Sequence, residues 1–139
     1  DHTSWLDFIF SQQIQPKLAQ NTLWLVYGYP TCLPSLARVN DGNPLTVDRV
    51  ELFINGIELG NGYHELTDPK EQARRFDKEI AVRKTENRPI VTKDERLLAA
   101  LEAGLPDCSG IAIGLDRILM LLSNSPIIDE VLAFSISRA

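Results

Sequence analysis

The sequence predicts an α+β fold, a mostly antiparallel sheet with helices packed on one side, and three features carry that reading. Asn55-Gly56 joins two alternating segments, the pattern of a two-residue hairpin, so neighbouring strands run antiparallel. Two runs with helical spacing open on capping residues, at Asp68-Pro69 and at Thr92–Glu95. The segment Ser109–Gly114 reads as a short strand leading straight into a helix marked by Leu115, Ile118, Leu119 and Leu122. The hairpin excludes a doubly wound parallel sheet.

The elements follow in order. Ser4 is placed as the cap of an amphipathic helix over 4–15, which Pro16 stops. Residues 22–29, aromatic and branched on both faces, read as a buried strand. Pro30, Pro34 and the turn residues Asn40-Asp41-Gly42-Asn43 make 30–48 an ordered loop. The hairpin arms are 49–54 and 57–63. A helix from 69 to about 84 should bury Ala73, Phe76 and Ile80, and the next runs through Leu97, Leu98 and Leu101 before Gly104 and Pro106 end it. There are no repeats or low-complexity tracts, so residues 1–139 read as one domain.

Composition narrows the classes. With 139 residues, 14 Lys+Arg and 19 Asp+Glu, the net charge of −5 argues against a non-specific grip on phosphate backbones. No apolar run approaches the ~20 residues that span a bilayer, and no secretory pattern opens the chain. A cytoplasmic protein with no membrane partner is expected, and a start at Asp1 without Met predicts a fragment. Cys32 and Cys108, far apart, read as small buried side chains; with two histidines they form neither a zinc cluster nor a disulfide framework. The pairs Arg74-Arg75 and Arg83-Lys84 read as a solvated helix face. His64 beside Glu65 could serve as a general base, but with no partner apparent in the sequence it reads as structural or as a surface residue.

Two segments carry chemistry. In the strand at 110–114, Gly110, Ala112 and Gly114 share one face, on which a flat group could lie against the backbone. Arg117 follows at the start of the helix, with a planar charge suited to a phosphate. The same small residues would equally admit a packing helix, with Arg117 pairing a surface acid. Glu58 and Glu65 flank Gly60-Asn61-Gly62, and two carboxylates with an amide are hard oxygen ligands of the kind Mg²⁺ takes. Seven positions apart, they fall on opposite faces of an unbroken strand, so they converge only if the backbone bulges between them. Without that, they are solvated acids.

Taken together, these segments resemble a known family. Ser109-Gly110-Ile111-Ala112-Ile113-Gly114-Leu115-Asp116-Arg117-Ile118 is similar to the third signature motif of class II aminoacyl-tRNA synthetases. The run from Glu51 through Asn55-Gly56, Glu58, Gly60-Asn61-Gly62 and Glu65-Leu66, followed by Gln72-Ala73-Arg74-Arg75-Phe76, resembles lysyl-tRNA synthetase in order and spacing. The likeness covers about residues 22–138. Ala112 stands where those synthetases carry glycine; Pro106-Asp107-Cys108-Ser109 and the ending Ala133–Ala139 look like the PoxA/GenX paralogues, ligases that modify elongation factor P.

That resemblance implies a class II aminoacyl-tRNA synthetase-like partial domain using ATP and Mg²⁺. It implies activation of lysine or (R)-β-lysine as the adenylate, with elongation factor P rather than tRNA as acceptor, and a homodimer in the full-length protein. Glu58 and Glu65 would hold Mg²⁺ and the phosphates, and Asn61 would place substrate or nucleotide. Gly110, Ala112 and Gly114 would floor the pocket, and Arg117 would contact ATP. The alternatives are a lysyl-tRNA synthetase fragment and a non-catalytic paralogue. No dimer-forming first motif and no arginine-bearing second motif is present, so the chain reads as the C-terminal part of a catalytic domain. Alone it should show negligible ligase activity and expose a sheet edge and apolar surface. The extra methyl of Ala112 should shape the pocket between the two lysines by ~10–200-fold; Ala112→Gly in the full-length protein is expected to shift that preference, measured with each lysine in turn.

Overall fold

In a computed structural model, which describes residues 2–138, the chain forms a four-stranded antiparallel sheet in sequential order with helices before, between and after its strands. The strands are β1 (Trp24–Pro30), β2 (Thr46–Ile54), β3 (Ile57–His64) and β4 (Ser109–Ile113). The principal helices are α1 (His2–Ile9), α2 (Pro69–Thr85), α3 (Glu95–Ala103) and α4 (Leu115–Ser123). The α+β class is as the sequence predicts.

The β2–β3 turn shows why Asn55-Gly56 is the right pair. Both residues lie in the left-handed region, at φ 54° and 74°, as a type I′ hairpin requires. The N-terminal segment docks on this tip: the Gln15 side chain donates to the Gly56 carbonyl at 2.7 Å, and the Phe10 ring packs 5.6 Å from that of Phe53. Phe53, Val47, Ala37, Leu59, Leu98 and Leu101 are the buried apolar residues.

Several local expectations are corrected. The first helix begins at His2, so Ser4 lies inside its first turn, and the helix relaxes into a wider turn at Phe10–Ile14 before Pro16. β1 is not buried: it is an edge strand with one neighbour, and Leu25 and Tyr27 are 56% and 80% exposed. β2 starts at Thr46, because β1 continues past Gly28 and pairs Tyr29 with Val47 and Pro30 with Thr46. Asp94, not Thr92, caps α3, accepting from the amides of Arg96 and Leu97. On α2 the buried residue is Gln72, whereas Ala73, Phe76 and Ile80 are half-buried. Arg75 is not part of a solvated face: it pairs with Glu71 and donates to the carbonyls of Ser35 and Ala37, tying α2 to the loop before β2. Burial there, with Arg74 alongside, lowers its pKa from the usual guanidinium value. Cys32 is exposed and Cys108 half-buried, since both lie in connections outside the core.

The β3–β4 pair is drawn close by glycines. A Cβ on Gly62 would lie 2.9 Å from the Gly110 carbonyl oxygen and 3.1 Å from the Ile111 Cβ. Both obstacles are backbone or backbone-near atoms that cannot swing away. Gly62→Ala is expected to destabilise the fold by about 1–3 kcal/mol, measured by chemical denaturation.

Candidate functional site

The register of β3 decides which side chains meet. Phe53 pairs with Glu58, but Leu52 pairs with Gly60, so Leu59 is an extra residue, a β-bulge. That single insertion reverses the parity of everything before it. Glu58 then shares a face with Asn61, Tyr63 and Glu65. On β2 the same face carries Arg49, Glu51 and Phe53, and on β4 it carries Gly110 opposite Tyr63 and Ala112 opposite Asn61.

The bulge also anchors the helix that follows β4. The Gly114 amide donates to the Leu59 carbonyl at 2.8 Å, placing the start of α4 beside Glu58. Arg117 folds over Gly114, whose missing side chain would lie 3.5 Å from the Arg117 Cδ. Its guanidinium donates to the Glu58 carbonyl at 2.6 Å and stands 3.9 Å from the Glu58 carboxylate. At the far end of the face, the Glu65 carboxylate lies over Gly110: a Cβ there would be 2.6 Å from its Oε1.

These residues share one face without sharing one point. From the pair at Glu58 to the position of Glu65 is about 20 Å of extended strand. Two carboxylates that far apart do not meet on one Mg²⁺, whose oxygen ligands sit at about 2.0–2.1 Å. The expectation that Glu58 and Glu65 jointly hold the ion therefore does not fit this geometry. The bulge supplies the common face, and the length of the strand keeps the two acids apart.

The carboxylate beside Glu58 is Glu51, which sequence reasoning missed. It pairs with Asn61 in the register, one diagonal step from Glu58, and only 8% of it is exposed. Tyr29 donates to its Oε2 at 2.5 Å, Arg49 pairs with its Oε1, and the Asn61 amide reaches the same oxygen at 3.4 Å. The Arg49 guanidinium lies 4.3 Å above the Tyr29 ring and 5.9 Å from that of Tyr63. Burial and the neighbouring Glu51 carboxylate hold the Tyr29 hydroxyl far above the usual phenol pKa, so it stays a donor. Tyr29 reaches this face through Gly28, at φ 71°, where the register of β1 slips and sends Tyr27 and Tyr29 to opposite faces. The signal in the sequence was the alternation Arg49, Glu51, Phe53, which a hairpin register places opposite the Asn61 arm. Among the described residues no three His, Cys, Asp or Glu side chains cluster as a metal site. Two carboxylates completed by phosphate oxygens and water still suffice for Mg²⁺, and Glu51 with Glu58 fits that donor set.

His64, without an apparent partner in the sequence, has partners in the structure. His64 contacts the Asp107 carboxylate at 2.5 Å, and Arg38 bridges Asp41, Asp48 and Asp107. This clasp ties the end of β3 to the connection before β4. The His64 hydrogen bond holds the Asp107 carboxyl below its usual pKa. A depressed carboxyl contributes stability that is present above its ordinary pKa of about 4 and lost as pH falls through the lowered value. Stability-versus-pH curves of wild type and Asp107→Asn should therefore converge as the solution is acidified below about pH 4.

A cavity of about 410 Å³ lies along the opposite face, lined by Tyr27, Asp48, Val50, His64 and Ile111 among others; Glu58, Asn61, Glu65, Ala112 and Arg117 are not in its wall. No helix of the described residues is long and apolar enough to cross a membrane.

The comparisons with known proteins agree with this arrangement of segments. The family model described as tRNA synthetases class II (D, K and N) matches residues 7–138. The chain is 42% identical over 134 residues to the elongation factor P–(R)-β-lysine ligase of Haemophilus ducreyi, covering 96% of this chain and 41% of that protein. It is 43% identical over 139 residues to the ligase of the same name from Vibrio cholerae, covering 100% of this chain and 43% of the relative. The corresponding Klebsiella pneumoniae protein is 40% identical over the whole chain. The chain thus spans about two-fifths of the length of these relatives.

Proposed function

The chain belongs to the class II tRNA synthetases of the D, K and N type, and from that membership we propose that it forms part of the site of an ATP-dependent ligase. In its full-length protein that enzyme activates lysine or (R)-β-lysine as the adenylate and transfers the acyl group to a lysine of elongation factor P. The observation that carries the reading is the Leu59 bulge, which aligns Glu51, Glu58, Asn61 and Glu65 above the bare floor of β4. The relatives named as elongation factor P–(R)-β-lysine ligases, matched along the whole chain, support the acceptor.

The face divides into two ends. Glu51, Glu58 and Arg117 form the nucleotide end. Mg²⁺ entering with ATP would offset phosphate charge there, with Glu51 and Glu58 as its protein ligands. Arg117 presents its guanidinium to the departing pyrophosphate, and Gly114 leaves room for that side chain. Gly110 and Ala112 let the substrate lie on the backbone, with Asn61 opposite Ala112 to orient it. Glu65, at the far end, takes the substrate's terminal ammonium. An oxygen of the amino-acid carboxylate attacks the α-phosphorus as the bond to pyrophosphate breaks, and the acceptor amine then attacks the acyl carbon and releases AMP. The chain's residues contribute position and electrostatics to both steps. The family resemblance further supports an enzyme that acts in the cytoplasm, as a homodimer in its full-length form.

The test is the full-length protein with ATP, labelled α-lysine and labelled (R)-β-lysine, with elongation factor P and tRNA offered together. Label on elongation factor P is expected. Label on tRNA would establish a lysyl-tRNA synthetase, and an absence of amino-acid-dependent ATP–pyrophosphate exchange would establish a non-catalytic paralogue.

A further inference from the structure

Glu51 is the buried carboxylate among the described residues, and each of its oxygens is engaged by a different side chain. A surface acid of this kind would be free to turn. Here Tyr29 fixes Oε2 and Arg49 fixes Oε1, while the Tyr29 ring also supports the Arg49 guanidinium from beneath at 4.3 Å. Arg49 Nε additionally donates to the Asn61 side-chain oxygen Oδ1 at 3.4 Å, so one arginine touches both the acid and the amide of the face. The device depends on Gly28: without its left-handed backbone, Tyr29 would follow Tyr27 to the other side of the sheet.

We propose that Tyr29 and Arg49 are positioning residues for the nucleotide end of the site, each holding one oxygen of Glu51 so that its carboxylate keeps a single orientation beside Glu58. This rests on the reading of Glu51 and Glu58 as the metal-holding pair. Groups that orient ligating carboxylates and histidines typically change metal affinity by about 10–100-fold when removed, without forming any bond to the ion themselves. Tyr29 and Arg49 stand in that relation to Glu51. Tyr29, bonded to Glu51, is not expected to affect the Glu65 end, whereas Arg49 also touches Asn61, the amide that orients the substrate.

The test uses the full-length protein with Mn²⁺ as a spectroscopic probe and a non-hydrolysable ATP analogue, following bound Mn²⁺ by electron paramagnetic resonance. Tyr29→Phe removes one hydroxyl and keeps the ring under Arg49; Arg49→Lys keeps the charge and loses the planar fork. Both are expected to weaken Mn²⁺–nucleotide binding about 10–100-fold. In Tyr29→Phe binding of labelled lysine stays within about twofold, and in Arg49→Lys, which also disturbs Asn61, it falls by less than Mn²⁺ binding does. Tyr27→Phe, on the opposite face, should change neither. Mn²⁺ binding within about twofold of wild type in both variants, alongside its loss in Glu51→Gln, would overturn the proposal and leave the metal pair standing. Unchanged binding in Glu51→Gln and Glu58→Gln as well would remove the metal pair and the proposal with it. Equal losses of Mn²⁺ and lysine binding would assign Tyr29 and Arg49 a general structural role, which also overturns the proposal.

Discussion

Arg117→Ala in the full-length protein is expected to lower lysine-dependent ATP–pyrophosphate exchange by about 10²–10³-fold while leaving the protein folded. The separation of the two effects follows from where Arg117 sits. Its side chain is half exposed and makes one hydrogen bond, to the Glu58 carbonyl. Losing that bond costs about 1 kcal/mol of stability. A preorganised donor facing charge that develops as pyrophosphate leaves is worth about 3–4 kcal/mol in the transition state. Arg117→Lys should recover only part of the rate, since an ammonium keeps the charge but lacks the fork that can hold Glu58 and a phosphate together. Exchange within tenfold of wild type in the alanine variant would remove Arg117 from the reaction.

Much of the fold is legible in the sequence because its punctuation is local. Asn55-Gly56 specifies a turn with two left-handed residues, and Asp68-Pro69 specifies a helix start; the structure realises both. What escapes local reading depends on pairing partners. β1 looks buried from its composition, yet burial is decided by how many neighbours a strand has, and β1 has one. The need for a bulge between Glu58 and Glu65 could be derived from parity, and a bulge is present at Leu59, next to Gly60. Parity says which face a side chain takes and nothing about distance along the strand. For that reason a seven-residue spacing read as one metal site opens out into two ends. Glu51 was passed over for the complementary reason: it belongs to the other arm of the hairpin, and only the register sets it across from Asn61.

The amine end gives the second large effect. Glu65→Gln is expected to raise the KM for lysine by about two to three orders of magnitude, because removing one partner of a close charge pair costs about 2–5 kcal/mol. Gly110→Ala should act on the same parameter without touching Glu65 chemically. The new Cβ would fall 2.6 Å from Glu65 Oε1, a side-chain atom, so the carboxylate must swing aside while the β3–β4 pairing stays as it is. Gly62→Ala is the instructive contrast, since its Cβ meets backbone across the same strand pair and the cost is paid in stability. Kinetics with lysine and ATP varied separately distinguish the two ends. If Gly110→Ala and Glu65→Gln raise the KM for lysine and leave that for ATP nearly unchanged, Glu65 faces the substrate ammonium. If they raise the KM for ATP instead, Glu65 works on the nucleotide, the strand must bend far more in the full-length protein than it does here, and the division of the face into two ends is wrong.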